Sequence, residues 1–194
     1  MAYRRYRGSA LGAVEYIIFA NLLLYIAVSI NDHLIELFGF LPSAFLDKPW
    51  TIITNMFIHA PFPNIGHILG NMITLYFFGN FLVGLVRERA FLLVYFLGGL
   101  LGNILFYVLA PPLSIAVGAS GAIFAVGGAL AVLRPRWTVY VFPLPVPIPL
   151  WVAVIGGFLL MSFMPSVAWE AHLGGLVFGL VMGYIFRLRE HGHF

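Results

Sequence analysis

The sequence contains no cysteine, which excludes disulfides, thiolate nucleophiles and cysteine-ligated metals. Charge is scarce too. Only 9% of the 194 residues are Asp, Glu, Lys or Arg, where a soluble domain carries about 25%. With 62% apolar residues and a mean hydropathy of +1.01, too little polar surface remains to cover a water-facing fold. The apolar runs also lack period-two alternation, so a transmembrane β-barrel is excluded.

What is there fits a helical membrane protein. Apolar blocks fall at about 13–30, 65–86, 90–110, 113–133, 148–164 and 167–186. Six spans of about 20 residues account for most of the apolar inventory. The expected architecture is all-α, a polytopic six-helix bundle formed by one domain over residues 1–194. The first block follows Arg4, Arg5 and Arg7 as a signal peptide would, but ends in Asn31-Asp32 without a small-residue cleavage site. It reads as an uncleaved span. Before the fifth block, Pro143, Pro145, Pro147 and Pro149 favour extended backbone over helix.

Basic residues set the orientation. With a cytoplasmic N-terminus and six spans, the inner side holds Arg4, Arg5, Arg7, Arg87, Arg89, Arg134, Arg136, Arg187 and Arg189. Lys48 alone lies outside. Both termini are then expected in the cytoplasm, with the chain in the cell membrane. This asymmetry explains the pI of about 9.4, so no nucleic-acid partner is implied. The outer loop from Asn31 to Pro63 is rich in apolar residues, and Trp50 is expected to anchor it at the membrane interface.

Ionisable side chains within spans are costly and mark candidate sites. His67 opens the second span and His172 the sixth. Both spans run inward from the outer face, as does the fourth, which carries Ser120 about 7 residues, or roughly 10 Å, from its start. Asn71 lies one helical turn after His67. Each residue has a plain alternative: Ser120 as a small packing residue, the histidines as hydrogen-bonded core, Asn71 and Asn103 as interhelical contacts. Their convergence from three helices on one depth favours chemistry. Ser120 is the candidate nucleophile and His172 its general base. His67, Asn71 and the Ser120 backbone N–H are candidate oxyanion donors.

Glu170 lies two residues before His172, off its helix face, and is expected as a solvated loop carboxylate. The site is thus a dyad. Gly118-Ala119-Ser120-Gly121-Ala122 does not fit the G-x-S-x-G elbow of soluble hydrolases. There is no H-E-x-x-H for a metalloprotease and no intramembrane aspartate pair. No metal or cofactor is implied.

Small residues form two further patterns. Ala171, Gly175, Gly179 and Gly183 recur every four residues in the sixth span, and Gly121, Ala125 and Ala129 do so in the fourth. Such stripes let helices approach closely, and the two are expected to face each other.

From Trp50 to Gly183 the chain resembles the rhomboid intramembrane serine proteases, in their minimal six-span form. Gly118-Ala119-Ser120-Gly121 is similar to the family's nucleophile motif. Ala171-His172-Leu173-Gly174-Gly175 resembles its span-six histidine and glycine stripe. His67-Ile68-Leu69-Gly70-Asn71 resembles the H-x-x-x-N of span two, whose family role is in the oxyanion hole. The resemblance implies a serine endopeptidase acting on transmembrane protein substrates within the bilayer, near the outer face. Gly118 and Phe124 are then candidate substrate-binding residues. It also implies lateral substrate entry beside spans two and five, with the 165–170 loop as a cap.

The chain departs from the family pattern at three points. Thr51 follows Trp50 where arginine is usual. Phe124 stands where many members carry tyrosine, and is expected to pack on His172. Pro61, Phe62, Pro63 and Asn64 lengthen the turn between His59 and His67, which argues against a role for His59 near the oxyanion. A proteolytically inert adaptor would lack Ser120 or His172. A channel would carry ionisable residues along a whole path, not at one depth.

Overall fold

The computed structural model describes residues 11–141, 146–165 and 167–191. Arg4, Arg5, Arg7, Pro143, Pro145 and Ser166, in the 165–170 loop expected as a cap, lie outside the described residues. The elements run α1 (Ala13–Ile30), α2 (His33–Phe38), α3 (Thr51–Thr54), α4 (Ile65–Val86), α5 (Glu88–Leu109) and α6 (Ser120–Leu133). They continue with β1 (Thr138–Val139), β2 (Ile148–Pro149), α7 (Leu150–Ser162) and α8 (Trp169–His191).

The all-helical expectation holds, with one short antiparallel hairpin, β1–β2, where proline favours extended backbone. Helices α1, α4, α5 and α8 are long and apolar enough to cross a membrane, while α6 and α7 are apolar but shorter, at 14 and 13 residues. Side chains such as Phe19, Ile26, Phe77, Leu93, Val108 and Val181 point outward. This apolar exterior suits lipid.

Helix α6 is shorter than the expected block 113–133. Residues 113–119 are not helical. Pro111 and Pro112 interrupt the approach, and Ala116 instead exchanges two backbone hydrogen bonds with Phe40, at 3.0 and 2.8 Å. A 14-residue helix is about 21 Å long, less than the hydrocarbon core of about 30 Å. Yet nearly all of α6 is buried among other helices, so protein rather than lipid surrounds it.

The α6–α8 contact explains the small-residue stripes. A Cβ at Gly175 would run into the carbonyl of Gly121, one at Gly179 into that of Ala125, and one at Gly183 would lie 2.6 Å from that of Ala129. The two stripes face each other as expected, backbone against backbone.

The 31–63 segment is braced by side chains. Lys48 Nζ, Trp50 Nε1 and Thr54 Oγ1 donate to the carbonyls of Glu36, Leu37 and Phe38 at 2.9, 2.9 and 2.8 Å. These carbonyls end α2 and lack helical partners. Trp50 is therefore a cap as well as a half-exposed aromatic. The brace holds Phe40 where it pairs with Ala116, four residues before Ser120.

Candidate active site

Ser120 is the first residue of α6, not the seventh or eighth of a longer helix as expected. Gly118 makes that start possible. Its φ of +120° is a conformation that glycine adopts at no steric cost, and its N–H donates to the Asn55 carbonyl at 2.9 Å. As the opening residue of a helix, Ser120 has an N–H without an intrahelical partner. The positive end of the α6 dipole lies at the same point.

His172 sits in the first turn of α8 and is buried. Its Nε2 lies 2.6 Å from Ser120 Oγ, across 52 residues of sequence. In a neutral imidazole whose Nε2 accepts the serine proton, Nδ1 carries the ring hydrogen. That Nδ1 is buried without a hydrogen-bond partner among the described residues. Glu170 makes no hydrogen bond to it. The expectation of a solvated Glu170 is corrected: it lies in the first turn of α8, 6% exposed, where negative charge complements the helix dipole. Phe124, one turn beyond Ser120, packs on the His172 ring with centroids 4.7 Å apart.

His67 comes from the first turn of α4. A Cβ at Gly118 would lie 2.8 Å from His67 Nε2 and 3.7 Å from Ser120 Oγ. The absent side chain thus leaves room that both groups border. Asn71 is one turn further along α4 and donates to the His67 carbonyl at 2.9 Å, leaving one amide N–H uncommitted. Ser120, His172 and His67 therefore meet, with Asn71 in the adjoining turn.

Two features were not anticipated. His59 is fully buried and packs on His67, ring centroids 5.0 Å apart, so the lengthened turn does not carry it away from the site. Burial, and secondarily the neighbouring His67, push its imidazole down to about 3. His59 is neutral at working pH. Asn55 and Asn103 form a paired carboxamide bridge at 3.0 and 2.8 Å, and Asn103 also donates to the Ile52 carbonyl at 2.7 Å. A narrow cleft beside Ser120 is lined by Asn55, Asn103, Gly118 and Ala171. Asn103 was legible as a polar residue within a span, but its partner Asn55 carried no signal.

Comparison with known proteins identifies the family. A Rhomboid domain matches residues 46–189. RHOMBOID-like protein 1 of Arabidopsis thaliana is 34% identical over 150 residues, covering 75% of this chain and 36% of that protein. The putative rhomboid protease YdcA of Bacillus subtilis is 32% identical over 145 residues, 70% of this chain and 66% of its own. Rhomboid protein 1, mitochondrial, of Saccharomyces cerevisiae is 31% identical over 153 residues, 69% and 41% respectively. The chain thus spans between about a third and two thirds of the length of these relatives.

Proposed function

The chain belongs to the rhomboid family and is an integral multi-pass membrane protein; on that premise we propose that it is an intramembrane serine endopeptidase working through a Ser120–His172 dyad. The observation that carries the reading is the 2.6 Å contact between Ser120 Oγ and His172 Nε2. A hydroxyl and an imidazole at that distance are within proton-transfer reach.

In this mechanism Ser120 Oγ attacks the scissile carbonyl carbon while its proton passes to His172 Nε2. The tetrahedral oxyanion is met by the Ser120 N–H at the α6 terminus, by His67 and by Asn71. His172 then protonates the leaving amine as the C–N bond breaks. Water, deprotonated by His172, hydrolyses the acyl-serine and restores both residues. Phe124 keeps one face of the His172 ring covered, and Gly118 leaves space for the substrate carbonyl. A substrate helix must unwind locally before its amides reach Ser120.

The proposal includes six spans, with α6 and α7 as the short fourth and fifth. It places both termini in the cytoplasm of a cell membrane, and cleavage of other proteins' transmembrane segments near the outer face. The N-terminal ends of α4, α6 and α8 would then lie outward, opposite the Arg134 and Arg187 end. Labelling of the purified protein by a serine-directed phosphonate tests the chemistry, together with cleavage of a reconstituted transmembrane substrate. Ser120→Ala and His172→Ala should each abolish both reactions while the protein stays folded. Undiminished cleavage by either variant rejects the dyad.

A further inference from the structure

The oxyanion role given to His67 works only if its ring proton sits on the right nitrogen, and the 59–64 turn bears on which one that is. The Ala60 backbone N–H donates to His67 Nδ1 at 3.4 Å. A nitrogen that accepts this bond keeps its lone pair, so the single proton of a neutral imidazole resides on Nε2. Nε2 is the atom that faces Gly118 and borders the same space as Ser120 Oγ. In the other tautomer, Nε2 would present a lone pair to a developing oxyanion, and the Ala60 N–H would meet another donor.

We infer that the Ala60 N–H, anchored by the buried His59 ring, is a positioning group that holds His67 in the Nε2–H tautomer with that N–H aimed at the oxyanion. The inference rests on the proteolytic reading above and adds to it a residue that acts through its backbone alone. It also gives the lengthened turn a use. His59 is fully buried and packs against His67, which fixes the chain immediately before the Ala60 amide. The Asn64 N–H closes the turn onto the Pro61 carbonyl at 2.9 Å, so the loop returns to α4 just ahead of His67.

The test is nitrogen-15 NMR of histidine-labelled protein near neutral pH, with His67 assigned by its loss in His67→Asn. The expected spectrum shows Nε2 protonated and Nδ1 as a hydrogen-bonded lone-pair nitrogen. Ala60→Pro deletes the donor at a position that already precedes Pro61 and is biased to extended backbone. In that variant the His67 Nδ1 resonance should move to the value of an unbonded lone pair. Its kcat should fall about tenfold with KM unchanged, less than the loss of about 10²–10³ from deleting an oxyanion donor. Ala60→Gly keeps the N–H and should restore both readouts. A protonated Nδ1 in the wild type, or an unmoved Nδ1 in folded Ala60→Pro, overturns the inference. If Ala60→Pro does not fold, the wild-type spectrum decides alone, and an Nδ1 shift typical of an unbonded lone pair there overturns it. The two readings fail separately: a cleaving protein with protonated Nδ1 rejects the tautomer, and an unreactive Ser120 with the expected tautomer rejects proteolysis.

Discussion

Between α6 and α8, a Cβ at Gly175 or Gly179 would strike a backbone carbonyl, whereas at Gly66 and Gly70 of α4, or Gly156 and Gly157 of α7, it would meet nothing within 4 Å. The same residue type serves opposite ends. In the first pair of helices glycine is the reason two backbones touch; in the second it leaves space. The site draws on both regions. Its candidate nucleophile and base come from the crowded pair, where packing leaves their 2.6 Å contact little freedom. His67 and Asn71 come from α4, each one residue after an open glycine but on the inward side, where Asn71 is buried and His67 borders Gly118. The Ser120–His172 contact is held by backbone packing between two helices, while His67 and Asn71 are placed by local hydrogen bonds, including that from the Ala60 N–H.

Outside the Ser120–His172 pair itself, the largest expected effect comes from α4. His67→Ala and Asn71→Ala should each lower turnover by about 10²–10³, read as kcat on a reconstituted substrate, with the Ser120 N–H sustaining a remainder. Full turnover in both would make the α4 residues mere packing. Next is the crowded side. Gly179→Leu must push α6 and α8 apart, and a displacement of about 1 Å costs on the order of 10²-fold in rate. Overpacking should also lower stability by about 1–3 kcal/mol, visible as a reduced Tm in detergent. A Gly179→Leu protein with wild-type Tm and rate would erase the contrast between the two regions.

A smaller effect concerns pH and lies where the regions meet. His59 has an ordinary value near 6.5 when unfolded and about 3 when folded. Between these values the unfolded chain binds a proton that the folded protein does not. Its stability contribution is therefore intact above about pH 6.5 and declines as pH falls toward 3, by at most about 1.4 kcal/mol per pH unit. Unfolding midpoints measured at pH 7 and pH 4 should differ in that direction, and His59→Leu should flatten the slope. An unchanged slope would place the acid sensitivity elsewhere. The smallest effect is on α7. Gly156→Ala and Gly157→Ala enter open space and should each stabilise by about 0.5–1 kcal/mol through helix propensity, leaving cleavage within about twofold. A large loss of activity would show that α7 needs these glycines.

Much of this was readable from residue order. Continuous apolar runs located α1 and α4 at their observed bounds and α5 within two residues, because a bilayer demands long uninterrupted apolar helices. The four-residue spacing of Ala171, Gly175, Gly179 and Gly183 predicted the stripe facing α6, since only small side chains permit that approach. Ser120, His172 and His67 stood out because polar groups in spans are costly. The packing of Phe124 on His172 followed from the family resemblance, in which an aromatic ring stands four residues after the serine.

Tertiary contacts decided the rest. Hydropathy could not show that 113–119 leave the helix, because the Phe40–Ala116 pairing and the Asn55–Gly118 bond that hold them extended join segments more than 60 residues apart. The burial of Glu170 depends on what surrounds the start of α8, and its own sequence neighbours do not reveal that. His59 looked distant when counted along the turn, yet a loop that folds back brings its ring to His67. Composition and spacing determine which side chains a helix can present to one another. Hydrogen bonds between remote backbone groups determine where the helix begins, and with it that Ser120 opens α6 with its N–H outside the helical ladder.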